Sequence, residues 1–128
     1  MSYINNANGV RNEAFYTPGT ILFDNGPKHT FSAMVDATGV EADEDGKKII
    51  KAGTPVAGDI TSRETAFKVT NTNTAVAVMF HDADVTNGTA NATLMDMGNV
   101  DMNKLDDTVA AMITAEVKTA LSNVSFFK

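Results

Sequence analysis

The 128-residue chain contains no cysteine and no tryptophan. The first absence removes disulfides, thiolate nucleophiles and cysteine-ligated zinc together. Proline and glycine are sparse, at three and nine residues, which excludes a collagen-like repeat. With 43% hydrophobic and 20% charged residues, the composition is that of a folding chain rather than a disordered polyampholyte. No apolar run approaches the roughly 20 residues that a membrane-spanning helix needs. The opening "MSYINNANGVRNEAF" lacks the charged-then-apolar order of a signal peptide. We therefore expect a protein kept in a cytoplasm or packaged into something assembled there. Positive charge is the scarcer sign: ten Lys and Arg stand against sixteen Asp and Glu, a net charge of −6. Such a surface repels a phosphate backbone or an anionic bilayer, so neither nucleic acid nor membrane is an expected partner.

The length suits a single core, with an arm in addition. Residues 1–18 are rich in Asn, carry isolated Tyr3, Ile4, Val10, Phe15 and Tyr16, and follow neither a strand period nor a helix period. Phe15 and Tyr16 near Arg11 are residue types that anchor interfaces, and a frayed terminus is the plainer reading of the same letters. We expect an extended N-terminal arm over 1–18 and one β-rich domain over 19–128.

In that domain "TILF", a turn at Asp24-Asn25-Gly26-Pro27 and "KHTFSAMVDA" predict a hairpin with Phe31, Ala33 and Val35 on one face. Asp45-Gly46 marks a turn between Val40 and Ile49, and "TAFKVTNTNTAVAVMF" reads as two extended pieces split at 71–73. "DADVTNGTANAT" reads as a polar loop. In "LMDMGNVDM" strict alternation places Met95 and Met97 on one face, where they fill the core or form a methionine-rich subunit interface. Asp106 or Asp107 caps one helix whose apolar stripe is Val109, Met112, Ile113, Val117, Ala120 and Leu121, and "NVSFFK" returns as a short extended piece. The fold class expected is mostly β (α+β). It is a small β-sandwich, or a β-clip or barrel-like domain, with one C-terminal amphipathic helix.

No pattern of residues specifies catalysis. His81 in "FHDAD" is adjacent to a carboxylate, as a metal ligand or general base would be, but a strand-end histidine beside a loop explains it as well. "DADVTNG" opens like a calcium loop, yet Asn87 and Thr93 stand where an EF-hand needs Gly and Glu. The glycines of "KAGTPVAGD" make no P-loop, no Gly-x-Ser-x-Gly elbow is present, and "EADEDG" reads as a solvated turn. No catalytic residue, metal or cofactor is expected.

Gly53, Pro55 and Gly58 punctuate "KKIIKAGTPVAGDI" with predetermined turns. This segment, followed by "AVAVMFHDADVT", "TLMDMGNVDMNKL", a helix and "VSFF", resembles the head decoration and head-fibre proteins of tailed bacteriophages. The resemblance lies in a Lys-x-Gly-Thr-Pro turn (Lys51, Gly53, Thr54, Pro55) and an Asp-x-Asp-Val-Thr loop (Asp82, Asp84, Val85, Thr86). Its third part is a strand ending in Gly98, Val100, Asp101 and Leu105, and it spans residues 47–127 in all. It implies a virion protein on the outer capsid surface, commonly a homotrimer at three-fold or quasi-three-fold sites, that clamps the major capsid protein without catalysis. By that analogy, the arm with Tyr3, Ile4, Arg11, Phe15 and Tyr16 would order on the capsid by adding to one of its strands. Two other readings stay open. One is a virion-displayed receptor- or carbohydrate-binding module, from the Asn- and Thr-rich loops at 70–74 and 86–93. The other is a hydrolase of the dUTP-hydrolysing kind, from the shared turn alone.

Overall fold

The computed structural model describes residues 21–24 and 26–128. The arm, with Tyr3, Ile4, Arg11, Phe15 and Tyr16, lies outside the described residues. The strands are β1 (His29–Val35), β2 (Ile49–Ile50), β3 (Pro55–Ala57), β4 (Lys68–Val69), β5 (Ala77–Met79), β6 (Ala83–Asp84), β7 (Ala90–Asp101) and β8 (Val124–Phe127). Two helices, α1 (Asp107–Met112) and α2 (Ala115–Ala120), separate β7 from β8. The mostly-β, α+β class expected from the sequence is the class observed.

The main sheet runs β1-β7-β5-β3-β4, with β8 added parallel to the end of β7. This path curls back on itself. Val35 of β1 forms a parallel bridge with Phe67, the residue before β4, so the first and last strands of the path meet. The seam is held by Phe67 N–H donating to Met34 O (2.8 Å), Asp36 N–H donating to Phe67 O (3.1 Å) and Lys68 Nζ on Asp36 Oδ2 (2.8 Å). Closure leaves no open edge on this path at the bridge. The inside of the resulting small barrel holds Ala33, Val35, Val56, Phe67, Ala77, Met79 and Leu94. Ile50 and Ala83, from the antiparallel ribbon of β2 and β6, also pack into that interior. Gly58 admits the Phe67 ring, since a Cβ there would lie 2.5 Å from the ring carbon Cγ.

The outer face of the same strands carries a second core. Val78 and Met95 point away from the barrel interior and pack with Val100, Leu105, Val109, Ile113, Val117, Leu121 and Val124. Adjacent residues Leu94 and Met95 thus serve opposite cores, as the alternation of side chains in a strand requires.

Four expectations are corrected. "TILF" does not pair with "KHTFSAMVDA": Leu22 bridges Val100, and β1 pairs instead with β7, with Phe31, Ala33 and Val35 inward as the alternation predicts. The single helix is two, because Ile113 ends α1 and the Thr114 side chain accepts the Val117 amide to start α2. The stretch read as a polar loop contains β6 and the first residues of β7. Met95 and Met97 do not share a face, because pairing shifts from Thr30 with Met95 to His29 with Met97 and leaves Asp96 as an extra residue. That bulge reverses the alternation, so Met95 is buried, Met97 is exposed, and Gly98 and Val100 face the second core.

Candidate functional site

Six of the residues that carry the resemblance converge on one joint. The turn between β2 and β3 is built by Gly53, whose φ of +91° favours glycine and whose amide donates to Met79 O at 2.7 Å. A Cβ at Gly53 would run into Leu105 Cδ2, so Leu105 seats directly on the bare backbone. Thr54 is the one polar side chain buried among the described residues, and its Oγ1 donates to Lys51 O at 2.7 Å, closing the turn. Pro55 opens β3 opposite Val78, at a strand's first residue where its missing N–H is tolerated. Asp82 reaches across from the β5–β6 connection, its Oδ1 accepting the Ala52 amide at 2.7 Å. Lys51 Nζ donates to Asp106 Oδ2 at 2.9 Å, tying the turn to the cap of α1.

Hydrogen bonds from Thr108, then Lys51, hold the Asp106 carboxyl well below the usual range, and the same pair raises the Lys51 ammonium. Asp84 stands apart from this joint in β6, accepting the Thr86 amide at 2.9 Å, while Thr86 Oγ1 accepts the Lys48 amide at 2.8 Å. Gly98 is also apart, at the start of the β7–β8 pairing, where a Cβ would lie 2.8 Å from Met95 Sδ. Lys51, Gly53, Thr54, Pro55, Asp82 and Leu105 are therefore brought together, and their contacts hold loops to strands and helix to sheet. Among the described residues no three His, Asp or Glu side chains form a metal-binding group.

The outward features lie elsewhere. Phe23 and Phe127, 50% and 37% exposed, stack with ring centroids 4.3 Å apart and planes within 18°. The backbone fixes both. Phe23 N–H donates to Asn99 O (3.0 Å) and Asp101 N–H to Ile21 O (2.8 Å), while β8 occupies the other edge of β7, so the rings meet over that strand. Lys104 Nζ donates to Leu22 O and Asn99 Nδ2 to Asp24 Oδ1, at 2.8 and 3.1 Å, which steadies the segment before the described chain turns into β1. Sequence reasoning placed Phe23 and Phe127 in extended pieces without singling them out. Alternation in "VSFF" puts one phenylalanine outward, but the pairing of residues 21–23 with β7 has no local signature.

His29 and His81 are separate, as read. His29 Nδ1 lies 2.6 Å from Asp96 Oδ1 at the bulge, and His81 packs edge-on to Phe80 beyond β5. No protein-family model matches the chain, and no curated protein matches it in sequence.

Proposed function

We propose that this chain is a structural virion protein that binds the outer surface of a phage capsid. It acts as a homotrimer at three-fold or quasi-three-fold sites, clamps the major capsid protein and stabilises the head, with neither catalysis nor a cofactor. The resemblance of the joint residues supplies the family, and the stacked, exposed Phe23 and Phe127 are the observation that supports surface burial. Aromatic rings held rigidly in the open lose little entropy when a partner covers them, which is what an interface anchor requires. The internal contacts of Lys51, Gly53, Thr54, Asp82 and Leu105 suit a protein whose work is to keep its shape. Many symmetric copies supply avidity, and binding the assembled shell alone favours that shell.

Light scattering on the purified protein followed by sedimentation with undecorated phage heads tests this reading. A trimer that pellets with the heads is expected, and the double variant Phe23→Ala, Phe127→Ala should lose at least about thirtyfold in affinity, the loss that even one hot-spot aromatic would give. A monomer that stays in the supernatant overturns the proposal.

A further inference from the structure

Seven of the eleven described aspartates share a habit. Asp24, Asp36, Asp43, Asp59, Asp84, Asp101 and Asp106 each accept a backbone amide two residues further on, which occupies them locally. Asp82 departs from it. One of its oxygens takes the amide of Ala52, and no described residue engages the other. Beside it the side chains of His81, Asn91, Thr93 and Ser32 likewise form no hydrogen bond with any described residue. Together with Ala92 these residues line an open depression of about 580 Å³.

The depression exists because the second core stops short. On the outer wall of the barrel the helices cover Val78 and Met95, whereas Ser32 and Thr93, paired across β1 and β7, lie beyond them. The strand alternation that sends Ala33 and Leu94 inward turns these hydroxyls outward.

We propose that this depression binds a neutral sugar ring. A carboxylate oxygen, a carboxamide, two hydroxyls and an imidazole supply acceptors and donors in the mixture that vicinal hydroxyl groups require. The exposed His81 ring, set 4.7 Å from Phe80 between centroids, supplies the apolar surface for the C–H groups of a sugar, while Ala92, paired with Ala33, turns its methyl toward the barrel interior and lines the depression with backbone. The volume falls in the range of small-ligand sites, on the order of 300–1,000 Å³. Charge selects against anions, since no Lys or Arg lines the depression and the whole chain carries −6. The inference does not depend on the capsid reading.

Binding is read by amide chemical shifts of the full ¹⁵N-labelled chain, titrated separately with the methyl glycosides of glucose, galactose and N-acetylglucosamine. At least one should give saturable shifts centred on residues 32, 81–82 and 91–93, with a dissociation constant in the roughly millimolar range expected of an open site. Asn91→Ala and His81→Ala, both at exposed positions, should each weaken that binding about tenfold, one hydrogen bond's worth, while the rest of the spectrum stays in place. No saturable shift with any of the three glycosides, shifts centred elsewhere, or variants that bind as the parent does would overturn the proposal. None of these readouts involves phage heads, so this failure is distinguishable from failure of the capsid reading.

Discussion

Gly53 concentrates two constraints in one residue, a positive φ and direct contact with Leu105. Gly53→Ala should therefore destabilise the protein by about 2–4 kcal/mol, the sum of a strained backbone and an overpacked contact. Urea denaturation measures this, and combining it with Leu105→Ala should recover part of the loss, since the two positions share one space. The carboxyls of Asp36, Asp59, Asp84 and Asp106 are all held below their ordinary range. At Asp36, burial opposes the shift, and the hydrogen bonds of Lys68 and Thr38 outweigh it. A depressed carboxyl contributes stability above its unfolded pKa of about 3.9 and loses it as pH falls through the folded value. Melting temperature should fall steadily as pH drops below about 4, with Asp106→Asn showing a shallower decline. Lys51, raised by the same pair, contributes below about pH 10.4 and loses that contribution at higher pH. Asp59, Asp84 and Asp106 are exposed and Asp36 is half-buried, so high salt should flatten both slopes, least where Asp36 contributes.

At the scale of elements, the bulge at Asp96 decides which side chains face inward along the last third of β7. Deleting Asp96 removes the extra residue, after which regular alternation from Met95 still places Gly98 and Val100 on the second core, so the variant should keep a dispersed amide spectrum while β1 and β7 pair without a bulge. Substituting Asp96→Ala keeps the residue count and should fold, which separates the register effect from loss of the His29 contact. The alternation in "TLMDMGNVDM" made the strand legible. The bulge was not, because one extra residue leaves no mark in composition. The helix pair shows the same limit. Val109, Ile113, Val117 and Leu121 recur every four residues and are all buried, and the stripe continues across the break because α2 restarts on the same face. Thr114 was the available clue, being a residue type that caps helices. Thr114→Ala should cost about 1 kcal/mol through loss of the cap on Val117, together with its bond to Asn71 O, as read by thermal melting.

At the scale of the whole molecule, the closed sheet and the two cores it separates tie the described residues together through contacts within the chain. Removing residues 1–16 should accordingly leave the amide spectrum of the remaining domain dispersed while abolishing sedimentation with phage heads; undiminished binding would remove the arm from the capsid reading. The motif letters 51–55, 82 and 105 were legible as a set, but their convergence on one joint was not, since nothing in a sequence announces that Leu105 rests on Gly53 or that Asp82 holds Ala52. The aromatic stack escaped for the same reason, because its two rings come from opposite ends of the domain.

The pairing of β1 with β7 also governs how this chain reaches its native state. His29–Val35 finds its partner only after the whole stretch from 36 to 89 has been drawn into a loop, and the Val35–Phe67 bridge closes a second loop inside it. Loop closure on that scale is costly in entropy before any contact repays it, which places folding in the millisecond-to-second regime of non-local β topologies rather than the microseconds of helical bundles. Leu94 and Met95 gain their neighbours on both faces in the same event, so neither core should consolidate ahead of the other. Stopped-flow refolding should accordingly show one slow phase, with both cores protected from hydrogen exchange together.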